Sequence, residues 1–122
     1  LVKRSRTEIE RDVSFYTVIE HDGVIFACAA LYAYPEAKTG EMAALTVSTQ
    51  VQGQGDGERV LKRIEQRAKA AGLDSIFALT TSTTHWFLKR GFVLVDPDWL
   101  PEARKRKYNW DRKSQVLMKK IS

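Results

Sequence analysis

The chain has 122 residues, 43% hydrophobic and 29% charged, a composition that fits a folded domain and excludes disordered, collagen-like and repeat architectures. Its longest apolar run, Val24 to Ala33, falls short of the roughly 20 residues a membrane-spanning helix needs, and the lone cysteine, Cys28, excludes an internal disulfide framework. Net charge is +5, but residues 101–122 hold eight basic side chains against two acidic ones, so the excess belongs to the tail. The remaining hundred residues sum to −1.

In chain order, residues 1–12 read as the end of a helix, with Leu1, Val2 and Ile9 among alternating charges. Ser14–Glu20 is rich in aromatic and β-branched residues and predicts a strand. His21-Asp22-Gly23 follows, and Asp-Gly between two β-prone runs signals a tight hairpin. Val24–Tyr34 is nearly all apolar and predicts a strand buried on both faces, Cys28 among its core residues. Pro35 to Gly40 reads as a polar loop and Glu41–Thr49 as a further strand. The run Gln52-Gly53-Gln54-Gly55-Asp56-Gly57 then leads into a helix, where Val60, Leu61, Ile64, Ala68 and Ala71 recur at three- and four-residue spacing. Gly72 stops that helix.

Ser75–Thr80 predicts a short buried strand, and Thr81–Thr84 supply caps for a second helix, His85–Arg90, ended by Gly91. Phe92–Val95 is a strand, Asp96-Pro97-Asp98 a turn, Pro101 the opening of a short helix, and Gln115–Ile121 the last strand. The sum is an α/β chain with a sheet of mixed direction, residues 1–122 forming one domain without a linker.

The chemistry centres on Gln52-x-x-Gly55-x-Gly57 between a strand and a helix. A pyrophosphate needs several backbone N–H groups converging on one point, and a helix N-terminus supplies them together with a favourable dipole. The alternative is a flexible turn with a helix cap. The run lacks the Gly-Lys-Ser/Thr of a P-loop, and the preceding hairpin is the wrong context for a dinucleotide fingerprint.

Gln-x-x-Gly-x-Gly in this position resembles motif A of the GNAT acyl-CoA-dependent N-acetyltransferases. Trp86-Phe87-Leu88-Lys89-Arg90-Gly91-Phe92 is similar to the family's helix that ends in Gly-Phe before a strand. Over nearly its whole length the chain resembles the acetyltransferase domains of the bacterial amino-acid N-acetyltransferases, or N-acetylglutamate synthases. The matching stretches are Ala27–Tyr32, Gly40–Ala43, Leu79–Thr81, His85–Phe87, Leu100–Glu102, Lys113-Ser114 and Val116–Met118.

The resemblance implies a GNAT fold (α/β or α+β, a mixed sheet with helices on both faces) and acetyl transfer from acetyl-CoA to the α-amine of L-glutamate, the first step of arginine biosynthesis. GNAT domains begin with a strand and helix that this chain, opening at Leu1 rather than Met, is expected to lack. In the family the fourth and fifth strands splay apart around the pantetheine arm. On that pattern the backbone of Leu45, Thr46 and Val47 binds the arm, and the amides of Gln52, Gly53, Gln54, Gly55, Asp56 and Gly57 hold the pyrophosphate. The same pattern implies Arg59 or Lys62 near the nucleotide phosphates.

Acetyl transfer needs an amine freed of its proton, a polarised thioester carbonyl and a protonated leaving thiolate. Glu41 matches the family's glutamate base. Where many members keep a tyrosine acid this chain has Phe87, leaving Ser82 as the preferred acid among Thr81, Ser82, Thr83 and His85. Ser82 itself stands where the subfamily leads one to expect arginine. The two glutamate carboxylates call for cations and hydroxyls, with Arg4, Lys38, Arg112 and Ser114 as candidates by resemblance.

No His/Cys spacing predicts a metal site. The expected partners are the small-molecule substrate, a homo-oligomer and an upstream amino-acid-kinase-like domain, in the cytoplasm, with neither nucleic acid nor membrane. Two other readings stay open. One is a GNAT enzyme acting on another amino acid or a peptide amine. The other is a non-catalytic basic adaptor, favoured by Phe87, Ser82 and the aromatics Trp99 and Trp110 beside Arg104–Lys107.

Overall fold

The computed structural model describes residues 15–48 and 55–122. The helix expected over residues 1–12 lies outside them, as do Arg4, Gln52, Gly53 and Gln54. Six strands form one mixed sheet: β1 (Tyr16–His21), β2 (Val24–Tyr34), β3 (Thr39–Val47), β4 (Ser75–Thr80), β5 (Val93–Val95) and β6 (Gln115–Lys120). Helix α1 (Asp56–Ala70) joins β3 to β4, α2 (Thr84–Leu88) follows β4, and α3 (Glu102–Lys105) precedes β6. The strand order is β1-β2-β3-β4-β6-β5, antiparallel throughout except for the parallel β3–β4 pair. A parallel pair requires a crossover, which α1 provides.

The hairpin forms as the dipeptide predicts: His21 pairs with Val24, and both turn residues are left-handed, Asp22 at φ 49° and Gly23 at φ 80°. That is the geometry that matches the twist of the flanking strands. Strand β2, however, is not buried on both faces. Val24 and Ile25 are more than half exposed, because this end of the hairpin projects past the covering layers, and Cys28 is only half-buried.

The strand alternation gives the sheet two apolar faces. On one, Ala29, Leu31, Met42, Ile76, Ala78 and Leu117 pack against Val60, Leu61, Ile64 and Ala68 of α1 and Phe87 of α2. On the other, Phe77, Val116 and Met118 meet Leu100 and Tyr108 from the segment around α3. Helices thus lie on both sides of the sheet, α1 and α2 on one and the short α3 on the other.

Two features open the centre of the sheet. Strands β3 and β4 pair only from Thr39 to Glu41 and from Ser75 to Phe77, and part beyond that point. Further along β3 the register with β2 slips by one, because two residues of β3, Ala44 and Leu45, face Ala29 alone. Ala44 takes φ 56° there. An extra residue in one strand is a β-bulge, which bends the strand and turns its backbone groups away from the ladder.

Candidate active site

The parting of β3 and β4 creates a cleft of about 710 Å³. One wall is β3 from Glu41 to Leu45 together with Val47, and the other is Ala78 to Thr81 of β4 and its extension. Gly55, Asp56, Gly57 and Glu58 close one end with the start of α1, beside Trp86 and Arg90. Arg104, Lys107, Tyr108, Asn109, Arg112 and Ser114 of the basic tail close the other.

At the α1 end, Gly55 is the N-cap at φ 74°, and the first intrahelical bond runs from the Arg59 amide to the Gly55 carbonyl. The amides of Asp56, Gly57 and Glu58 therefore precede the helical ladder and are free of it. The two acids of this turn are already engaged. Asp56, almost fully buried, accepts from Arg59 Nη1 at 3.2 Å and lies 3.4 Å from His21 Nε2, both through Oδ1. Glu58 accepts from Arg90 Nη2 at 3.1 Å. Arg90 also donates to the Trp86 carbonyl and stacks over the Trp86 ring at 4.0 Å, locking α2 against α1. Gly57 permits that approach: a Cβ there would stand 3.1 Å from the Trp86 ring.

At the tail end, Glu41 is buried on the side of β3 that faces α3, opposite in sense to Met42. Arg104 grips it with a fork, Nε to Oε1 at 2.6 Å and Nη2 to Oε2 at 3.4 Å. Burial and the Glu41 charge push the nearby Tyr34 phenol above its usual range, and Arg104 pulls it back in part. Tyr108, also buried, donates its hydroxyl to the Ser114 carbonyl at 2.6 Å and so folds the tail onto the cleft.

The structure gathers some of the sequence candidates and separates others. Glu41, Leu45, Val47, Gly55, Asp56, Gly57, Arg112 and Ser114 all line the cleft. Thr46 does not line it; its side chain is exposed, and its hydroxyl lies 3.3 Å from the Ala44 carbonyl. Lys38 lies apart from these. It sits in a left-handed turn before β3, at the end where β3 and β4 are still paired, away from the cleft lining. Ser82 is exposed and outside the lining, its amide tied to the Thr80 hydroxyl, while Thr80, Thr81 and Thr83 line the cleft. Arg59 and Lys62 are exposed and outside the lining, Arg59 being engaged with Asp56, and Arg90 is the cation that lines the α1 end.

Arg104, Tyr108 and Arg90 are the residues that sequence reasoning missed. The only signal for Arg104 was its place in the short helix opened by Pro101 within the basic tail. Among the described residues no group of His, Cys, Asp and Glu could hold a metal ion, and no helix is long and apolar enough to cross a membrane.

The Acetyltransferase (GNAT) family profile matches residues 2–92. The chain is 60% identical to the amino-acid acetyltransferase of Ralstonia nicotianae over 99% of its own length, and 48% identical to that of Escherichia coli K12 over 97%. It spans 27% of the length of each. Among solved structures, the N-acetylglutamate synthase of Neisseria gonorrhoeae, complexed with coenzyme A and N-acetyl-glutamate, superposes with a TM-score of 0.93 at 41% identity, covering 100% of this chain and 29% of that one. With a family match spanning residues 2–92, about three quarters of its length, and a parted-strand cleft at its centre, this chain belongs to the GNAT acetyltransferase family.

Proposed function

We propose that this chain transfers the acetyl group of acetyl-CoA to the α-amine of L-glutamate. The observation that carries the reading is how charge is divided along the cleft. At the α1 end the two carboxylates, Asp56 and Glu58, are each neutralised, so the helix N-terminus keeps its attraction for an anion. At the tail end Arg104, Lys107 and Arg112 face one carboxylate, Glu41, leaving a net positive site suited to a dicarboxylate. The names of the curated relatives and the ligands of the Neisseria structure agree with that arrangement.

Coenzyme A fits these residues. The backbone of Leu45, Thr46 and Val47, at and just past the bulge, would hold the pantetheine arm, and the amides of Gly55, Asp56 and Gly57 at the start of α1 the pyrophosphate. Acetyl-CoA supplies the activated acyl group. Glu41 takes the amine proton, and Arg112 with Ser114 holds a carboxylate of the acceptor. Thr80, Thr81 and Thr83 are the hydroxyl-bearing residues along β4 and the turn after it, closer to the cleft than the Ser82 hydroxyl. By the same reading the reaction belongs to the cytoplasm and to a larger homo-oligomeric protein with a kinase-like domain upstream.

Thiol release from acetyl-CoA across L-glutamate, other amino acids, peptide amines and no acceptor tests the proposal. Release that requires L-glutamate supports it. Equal release with uncharged amino acids or peptides transfers the chain to the other-amine reading, and none at all with any acceptor favours the adaptor.

A further inference from the structure

Glu41 and Arg104 are 63 positions apart and meet inside the cleft with side chains only 11% and 17% exposed. We propose that Arg104 is the positioning residue for the Glu41 base, an inference that rests on the acetyl-transfer reading above. Glu41 occupies the last rung at which β3 and β4 are paired, opposite Phe77. A glutamate there has three side-chain torsions and, beyond it, an opening instead of a neighbouring strand. The guanidinium removes that freedom. Its Nε and Nη2 engage one carboxylate oxygen each, and such a fork fixes the plane of the carboxylate as well as its place.

Lys107 and Arg112, the other tail cations at the cleft, are exposed and form no hydrogen bond with Glu41, as befits groups left to meet a solute. Helix α3 is itself anchored, by Leu100 before it and Tyr108 after it, to the apolar face around Phe77. The aim of the base is therefore set by the tail, through the same sheet residue that pairs with Glu41.

The test is a double-mutant cycle on turnover, because a residue that acts only through another has no effect once that other is gone. Arg104→Lys and Arg104→Gln are expected to lower kcat at least 10-fold, with KM for acetyl-CoA and for the acceptor changed less than about twofold. In a Glu41→Gln background, Arg104→Gln is expected to change kcat less than about twofold. Removing Arg104 alone strands a buried carboxylate, so thermal melting is read in parallel. Glu41→Gln with Arg104→Gln leaves no buried charge and is expected to melt close to the parent.

An equal loss of kcat in both backgrounds overturns the proposal, as does a rise in acceptor KM with kcat unchanged, which would make Arg104 an acceptor ligand. If another amine replaces glutamate as acceptor, the glutamate reading fails while the cycle, run on that amine, still decides the role of Arg104. No thiol release from the parent with any acceptor overturns both.

Discussion

Ala44 is the residue on which the shape of the cleft turns, and its backbone makes a quantitative prediction. At φ 56° an L-residue other than glycine places its Cβ against its own carbonyl, at a cost of about 1–2 kcal/mol. Ala44→Gly relieves that cost but adds back about 0.4–1 kcal/mol of unfolded-chain entropy. The variant should therefore gain roughly 0–1.5 kcal/mol. Ala44→Val puts a β-branched side chain where such residues are genuine outliers, and should lose about 1–3 kcal/mol. For a chain of this size 1 kcal/mol corresponds to about 4 °C in Tm. Thermal unfolding should thus separate the two variants by about 4–18 °C, with glycine higher. Acetyl-CoA affinity, measured by calorimetry below either transition, should be kept by glycine and weakened by valine, which cannot hold the bulge. A valine variant as stable as the parent, or a glycine variant less stable by 1 kcal/mol or more, would refute the left-handed bulge.

Other predictions follow from single contacts. Gly57→Ala gains up to about 1 kcal/mol of helix propensity but forces Trp86 aside against Arg90, a crowding that costs about 1–3 kcal/mol, so Tm should fall slightly and KM for acetyl-CoA should rise. On the proposed acceptor site, Arg112→Ala would remove a charge-assisted contact worth about 1.5–3 kcal/mol, and steady-state kinetics should show KM for glutamate up roughly 10- to 100-fold with KM for acetyl-CoA unchanged. Burial pushes the Cys28 thiol up, offset in part by a hydrogen bond with Thr46. Alkylation of Cys28 in the folded chain should accordingly need a higher pH than a free thiol, and Thr46→Val should raise it further. Because the folded value is the higher one, this stabilisation is complete below the unfolded thiol's range and is lost as pH climbs from there through the folded value.

Much of the fold could be read from local chemistry. The left-handed Asp22-Gly23 pair, the helix after Gly55 and the strand Ser75–Thr80 each rest on residues with strong intrinsic preferences, and all three form where expected. What escaped depends on contacts between distant segments. Val24 and Ile25 are apolar enough for a core strand, yet they lie exposed beyond the layers that would cover them. The bulge carries an alanine where glycine would have announced it. The pairing of Glu41 with Arg104 spans 63 residues and has no local signature. Lys38, a candidate by resemblance, stays in the turn that leads into β3, at the closed end of the strand pair and outside the cleft lining.

The site was legible to the extent that it is made of backbone. Gly55 and Gly57 mark the start of α1 because a cap and a close approach need them. The side chains at the other end come from a tail whose excess positive charge was evident but whose destination was not. Three of its cations, Arg104, Lys107 and Arg112, reach the cleft, so part of the tail's excess positive charge is gathered there.

The most direct measurement follows the acetyl group itself. With carbon-13-labelled acetyl-CoA and L-glutamate, NMR of the products should show one N-acetyl-L-glutamate for each thiol released, and Glu41→Gln should slow its formation by about 10²–10⁴-fold without weakening acetyl-CoA binding. Thiol release without N-acetyl product, or product formed at the parent rate by the Gln variant, would contradict the account.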